Sequence, residues 1–360
     1  MSRVVHLHIG APKTGTTYLQ DRLTLNLEQL ARHGVTVPSQ HRAADADLFH
    51  FRAALDLLGQ DWGGAPGHAH GAWDSMVRKV NRADRSIISH EILSGARPDT
   101  IARALNDLAD CEVHLVYSAR DLGRQLPAAW QESIKQGRKW SYERFLTRYQ
   151  NGRTWFRRAF DLPTVLNNWS VKLPPERVHV VTVPHERGPR GDALWQRFLT
   201  AFDLDESWLP KESERSNRSM GLPETQLLRT LNRRLDTSVH HDAGFDPLIR
   251  QLLAEKVLAH RDSVKLMLPP DRFEFAEEQA GRWIDWLHGS GVQVVGDPQD
   301  LMPRRYPVEQ YADPSRKRRR AQLDAAVDAL AAMTEEAMNA RQQEPLGRRV
   351  LSTAARLRRR

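Results

Sequence analysis

The sequence predicts an α/β fold built on a parallel sheet, and three observations predict it. Short apolar runs recur through the first half of the chain, at Val4–Ile9, Ser86–Ser89, Val113–Tyr117 and Val178–Val183. Each is separated from the next by helical or loop material, as in strands joined by crossover helices. From Leu222 onward the apolar spacing turns helical, so a helix-rich region completes the chain.

The elements follow in order. Val4–Ile9 is β-branched, short and stopped by Gly10. After a compact turn, Ala11 to Thr17, residues Leu19, Leu23, Leu27 and Leu30 recur at helical spacing, which predicts a helix starting near Gly15. The segment before the second strand is weakly periodic, and Gly63 to Gly71 reads as a mobile loop. Beyond the fourth strand, Leu227, Leu228, Leu231 and Leu235 form one helical stripe, and Leu248, Leu252, Leu253 and Val257 another. Ala276–Leu287 is a further helix, followed by a short strand at Val292–Val295 and a turn at Gly296-Asp297-Pro298. A basic run, Arg316 to Arg320, precedes an Ala-rich helix with Leu323, Val327 and Leu330 on one face. The expected organisation is a core over 1–220, a helix-rich completion of the same domain over 221–314, and a basic helical tail over 315–360. No internal repeat is evident.

Composition narrows the function classes. The chain has 360 residues and 40% hydrophobic content, enough for a sizeable core. A single cysteine, Cys111, excludes an internal disulfide and fits a reducing compartment. No apolar run approaches transmembrane length, and a strand begins almost at residue 1, so a cytoplasmic location is expected. The net charge is +8, but residues 316–360 hold 12 Lys and Arg against 5 Asp and Glu. The body is therefore near neutral, which argues against nucleic acid as a partner.

The turn after the first strand carries the chemistry. Gly10 and Gly15 let the backbone bend and bring N–H groups close to an anion. The following helix points its positive dipole end at the same place. Thr14, Thr16 and Thr17 add hydroxyl donors, and Lys13 is a mobile point charge that can follow a developing negative oxygen. A nucleotide-triphosphate loop of the G-x-x-x-x-G-K-[ST] kind puts its lysine after the second glycine. Here Lys13 lies between the two.

The order Pro12-Lys13-Thr14-Gly15-Thr16-Thr17 at the end of a first strand resembles the 5′-phosphosulfate-binding loop of sulfotransferases that use 3′-phosphoadenosine 5′-phosphosulfate (PAPS). The resemblance implies a three-layer α/β fold with a P-loop-like loop at Gly10–Thr17, PAPS as co-substrate and no metal requirement. It covers residues 4–20 most specifically and is weaker beyond 220. In that family an Arg at a strand end and a Ser eight residues later hold the 3′-phosphate. Arg120, in Val116-Tyr117-Ser118-Ala119-Arg120-Asp121, fits the first; the eighth residue after it is Ala128, so the serine is missing. Arg124, Gln125, Ser133 or Lys135 on the following segment are the substitutes. A basic segment, Lys211 to Gly221, corresponds in position to a lid over the nucleotide, with Arg215 and Arg218 as candidates.

Ser89-His90-Glu91 ends the second predicted strand, where parallel strands converge on a ligand crevice. Sulfuryl transfer to an alcohol needs a base for the hydroxyl proton. Neighbours on a strand face opposite ways, so one of the two serves: Glu91 is the first choice and His90 the substitute. His68 and His70 have no third ligand nearby, and no metal site is expected. The acceptor is a small molecule, glycan or lipid, and the basic tail is a candidate for peripheral membrane contact. Two other readings stay open: a P-loop kinase or NTPase, and a non-catalytic nucleotide-binding protein of the same fold.

Overall fold

The computed structural model describes residues 3–40, 46–186, 188, 191–213, 218–236, 238–239 and 244–343. Among these, six strands form one all-parallel sheet: β1 (Arg3–His8), β2 (Val35–Thr36), β3 (Arg85–Ser89), β4 (Cys111–Ala119), β5 (Val178–Thr182) and β6 (Gln293–Val295). Their order is β2-β3-β1-β4-β5-β6. The α/β parallel-sheet class is as the sequence predicts, and five of the six strands fall on the predicted runs. The sixth, β2, is too short to leave an apolar pattern.

The order places β1 between β3 and β4. In register, His8 lies beside Ser89 on one side and Val116 on the other. The chain leaves β1 toward the β2-β3 edge and later returns to β4 on its opposite side. The carboxyl ends of these strands thus open at a topological switch point, where parallel sheets bind ligands.

Helices cover both faces of the sheet. On one, α1 (Thr16–Leu25) and α10 (Ala193–Phe202) share a core in which Leu19 and Leu23 meet Ile87, Val116, Val181, Trp195 and Phe198. On the other lie α8 (Trp155–Phe160) and α9 (Leu162–Trp169); the buried Tyr117 hydroxyl donates to the Ala159 carbonyl at 3.0 Å.

The helix expected after Gly15 is two helices, α1 and α2 (Leu27–Arg32), broken at Asn26. That buried amide donates to the carbonyls of Arg22 and Lys211, both at 2.8 Å, and accepts from the Lys211 N–H at 3.0 Å. The expected loop over Gly63–Gly71 is a succession of turns, fastened where the Gly67 N–H donates to the Asp61 carboxylate at 2.5 Å.

The chain forms two compact units. The first comprises Met1–Glu132, Trp140–Asn217 and Leu266–Asp313 and holds the whole sheet, together with α12 (Phe273–Ser290). The second comprises Ser133–Lys139, Arg218–Lys265 and Pro314–Arg360. In it α11 (Leu222–Arg234), a wide helical segment at Asp246–Val257 and α13 (Arg319–Gln343) pack together.

Candidate active site

The loop between β1 and α1 is built by backbone geometry that only certain residues accept. Gly10 has φ +103° and Gly15 has φ +93°, both in the region that favours glycine. A Cβ on Gly10 would also lie 2.9 Å from the backbone of Glu91, so this glycine lets the β1 loop and the end of β3 touch. Lys13 itself has φ +67°. The loop pairs with the carboxyl end of β4: the Ala11 N–H donates to Ser118 O at 2.7 Å and the Ser118 N–H to Gly10 O at 2.5 Å.

Gly15 is the N-cap of α1, and no side chain caps that helix. The Leu19 N–H bonds back to Gly15 O at 3.1 Å, so the N–H groups of Thr16, Thr17 and Tyr18 have no intrahelical acceptor. These donors, with the helix dipole behind them, have the arrangement that suits an anion. Of the three predicted hydroxyls, Thr16 is buried and Thr17 exposed. The Thr14 hydroxyl is turned inward. It donates to Ala11 O at 2.5 Å and lies 2.5 Å from the Ser118 hydroxyl, so it shapes the loop instead of adding a donor to an anion. Pro12 is buried, its carbonyl accepting from the Gln125 amide at 2.9 Å.

Lys13 forms an ion pair with Glu132 of α6 (Leu122–Lys135), Nζ to Oε2 2.5 Å. Its charge is also felt at Glu91. Burial pushes the Glu91 carboxyl up, but His90, its own backbone N–H, Lys13 and the Gln20 amide together hold it below the ordinary carboxylate range. Gln20 donates to Glu91 Oε2 at 3.2 Å. Glu91 is therefore an ionised, oriented carboxylate against the loop. His90, whose charge bears on Glu91, also caps the short 3-10 turn at Glu91–Gly95: its Nδ1 accepts the Ile92 N–H at 3.3 Å, and its ring stacks on Phe51.

Arg120 stands at the end of β4, and its guanidinium donates to the Lys13 carbonyl at 2.9 Å. Its Nε is buried without a hydrogen-bond partner. Burial, and then the nearby Arg124, lower its pKa to about 10, with Asp121 opposing; it stays cationic at neutral pH. Arg124 bonds the Asp121 carboxylate and the carbonyls of Pro184 (2.8 Å) and Val183 (2.9 Å), so its donors tie α6 to the end of β5. Ser133 is buried and belongs to the second unit, as does the exposed Arg218. Arg215 lies outside the described residues. The segment before it is anchored to α1, through Lys211 on Asn26 and the Ser213 hydroxyl on Asp21 at 2.6 Å.

Sequence reasoning missed Glu132 and His8, which support the site from other elements, and read Gln125 as a 3′-phosphate contact and not as a partner of the Pro12 carbonyl. Gln125 and Glu132 are seven apart on α6, a polar pair on a helix whose neighbours Leu126 and Ala129 are buried. That spacing, two turns along one face, is the signal that could have found Glu132. His8 is also buried: Nδ1 lies 2.8 Å from the Ser89 hydroxyl and Nε2 3.2 Å from the Ser118 hydroxyl, so it joins β3 and β4 beneath the loop.

Among the described residues, no group of three or more His, Cys, Asp or Glu is placed to hold a metal ion, and no helix is long and apolar enough to cross a membrane. No family model and no curated protein matches the chain. Among solved structures, a sulfotransferase from Alicyclobacillus acidocaldarius is similar, at 14% identity and a TM-score of 0.39, over 67% of this chain and 100% of that one.

Proposed function

We propose that the chain is a PAPS-dependent sulfotransferase acting on a hydroxyl or amine acceptor. One observation carries the reading: a lysine-centred loop and an uncapped helix start meet an ionised carboxylate, Glu91, across the ends of β1 and β3. The donor set suits the co-substrate. The α1 N–H groups and Lys13 fit a 5′-phosphosulfate, and the buried, unpartnered Nε of Arg120 fits a 3′-phosphate. Bound there, PAPS supplies the sulfuryl group. Glu91 takes the acceptor proton as the acceptor atom bonds sulfur and the bridging S–O bond to the nucleotide breaks. Lys13 and the loop N–H groups stabilise the charge left on that oxygen. His90, capping the following turn, orients Glu91 and is not the base in this scheme. A triphosphate reading is disfavoured, because the hydroxyl after Lys13, on Thr14, is held by Ala11 and Ser118.

Calorimetric titration tests the site first. The nucleotide product 3′-phosphoadenosine 5′-phosphate should bind more tightly than ATP, and Arg120→Ala should weaken it about tenfold or more. In a radiolabelled sulfate-transfer screen over phenols, glycans and lipids, Lys13→Ala should lower turnover about 100-fold or more with the fold intact. Preference for ATP, or full turnover without Lys13, would refute the assignment.

A further inference from the structure

Helix α13 packs in the second unit against α11 and the Asp246–Val257 segment. Ala325 is fully buried and Ala326, Ala329 and Ala332 are half-buried, beside the half-buried Met333 and Gln322, which donates to Gln226 Oε1 at 2.6 Å. Its other large apolar residues point the other way. Leu323, Val327, Leu330 and Met338 are 64%, 59%, 68% and 58% exposed. With Thr334 they fall in a stripe about 80° wide and about 22 Å long. Single exposed leucines need no explanation, but a continuous apolar stripe on one helix marks a surface that something covers.

The charges beside the stripe decide what covers it. Residues 319–343 contain three Arg against four acidic residues, Asp324, Asp328, Glu335 and Glu336. Asp328 is already paired with Arg261, and the Arg316–Arg318 run lies just before the helix, so lipid is kept as an outcome of the test below and the choice of occupant rests on how the charges complement one another. Arg319 and Arg320 stand at the start of the helix and Glu335 and Glu336 two-thirds of the way along, with Asp324 and Asp328 between them. Arg320 and Glu335 are both exposed and lie on the same edge of the stripe. Such a helix complements itself when antiparallel and repels itself when parallel.

We propose that α13 is a self-association face on which a second copy of this chain packs antiparallel about a two-fold axis near Val327. An interface of this symmetry is isologous, so each contact occurs twice. Arg320 meets the partner's Glu335, and Leu330 inserts between the partner's Leu323 and Val327. Asp324 comes opposite the partner's Ala331, so no like charges face one another.

Sedimentation equilibrium on the full chain tests this at tens of micromolar. The wild type should be a dimer and Leu330→Glu a monomer, with the urea midpoint of the monomeric unit unchanged because Leu330 is exposed. Arg320→Glu and Glu335→Arg should each weaken the dimer about tenfold, and the double variant should restore it. A monomeric wild type, or a dimer that survives Leu330→Glu, overturns the proposal. So does a double variant as weak as the single ones. Flotation with phosphatidylserine vesicles adds one more arm: binding by a monomeric wild type that Leu330→Glu abolishes would assign the face to lipid and overturn self-association.

Discussion

Lys13 stands between two carboxylates, Glu132 at 2.5 Å and Glu91 across the loop. Before an anion arrives, the loop's cation is already neutralised in part. Replacing Glu132 by Gln keeps the shape of the side chain and removes its charge. The site then becomes more positive, and 3′-phosphoadenosine 5′-phosphate should bind roughly fivefold more tightly, a change of about 1 kcal/mol. Calorimetry on Glu132→Gln reads this directly; weaker binding would mean that Glu132 serves to aim Lys13 at the anion. His90 and Glu91, just past the end of β3, also differ in their surroundings at this scale. The carboxylate lies against the loop, while the imidazole caps a turn and stacks on Phe51.

At the scale of elements, the break between α1 and α2 shows how tertiary bonds overrule a periodic pattern. Leu19, Leu23, Leu27 and Leu30 read as one helix, and nothing in that spacing announces the interruption. Asn26 makes it by three hydrogen bonds, two of them to the backbone of Lys211, far away in the chain. Asn26→Ala would leave the Lys211 N–H and carbonyl without this partner and should cost about 2–3 kcal/mol. A urea unfolding midpoint within error of wild type would contradict that account. The central strands were legible for the opposite reason: β1, β3, β4 and β5 each contain a short apolar run that is mostly buried, so the pattern does not depend on distant partners.

At the scale of the whole molecule, stability should depend on neutral histidines inside the sheet domain. Burial lowers the pKa of His6 to about 3, with His114, Arg85 and His179 adding to it. Burial likewise lowers His8, His50 and His179 to about 4. In the unfolded chain these rings protonate near the ordinary imidazole value of 6.5. Between that pH and about 4 the unfolded state therefore binds more protons. Stability is full above pH 6.5 and is lost as the pH falls below it, by up to about 1.4 kcal/mol per pH unit for each histidine. Urea midpoints should be level between about pH 7 and 8 and drop steeply toward pH 5. A midpoint unchanged down to pH 5 would show that these rings are not held neutral by the fold.

The sequence by itself determined the parallel α/β class, the strand–loop–helix at Val4–Leu25 and the residues that line the loop, because short-range rules govern them: apolar runs, glycine at positive φ, a helix start beside a lysine. Only the tertiary structure decided which groups meet. It paired Lys13 with Glu132, brought Glu91 against Gly10, turned the Thr14 hydroxyl inward and spent Arg124 on the end of β5. It also settled the facing of α13, where periodicity puts Leu323, Val327 and Leu330 on one side without saying which side packs. Alanines fit closely against neighbouring helices and leave these larger side chains outward. Hydrogen bonds, ion pairs and close packing between distant segments depend on where the chain returns in space, and local spacing carries no record of that.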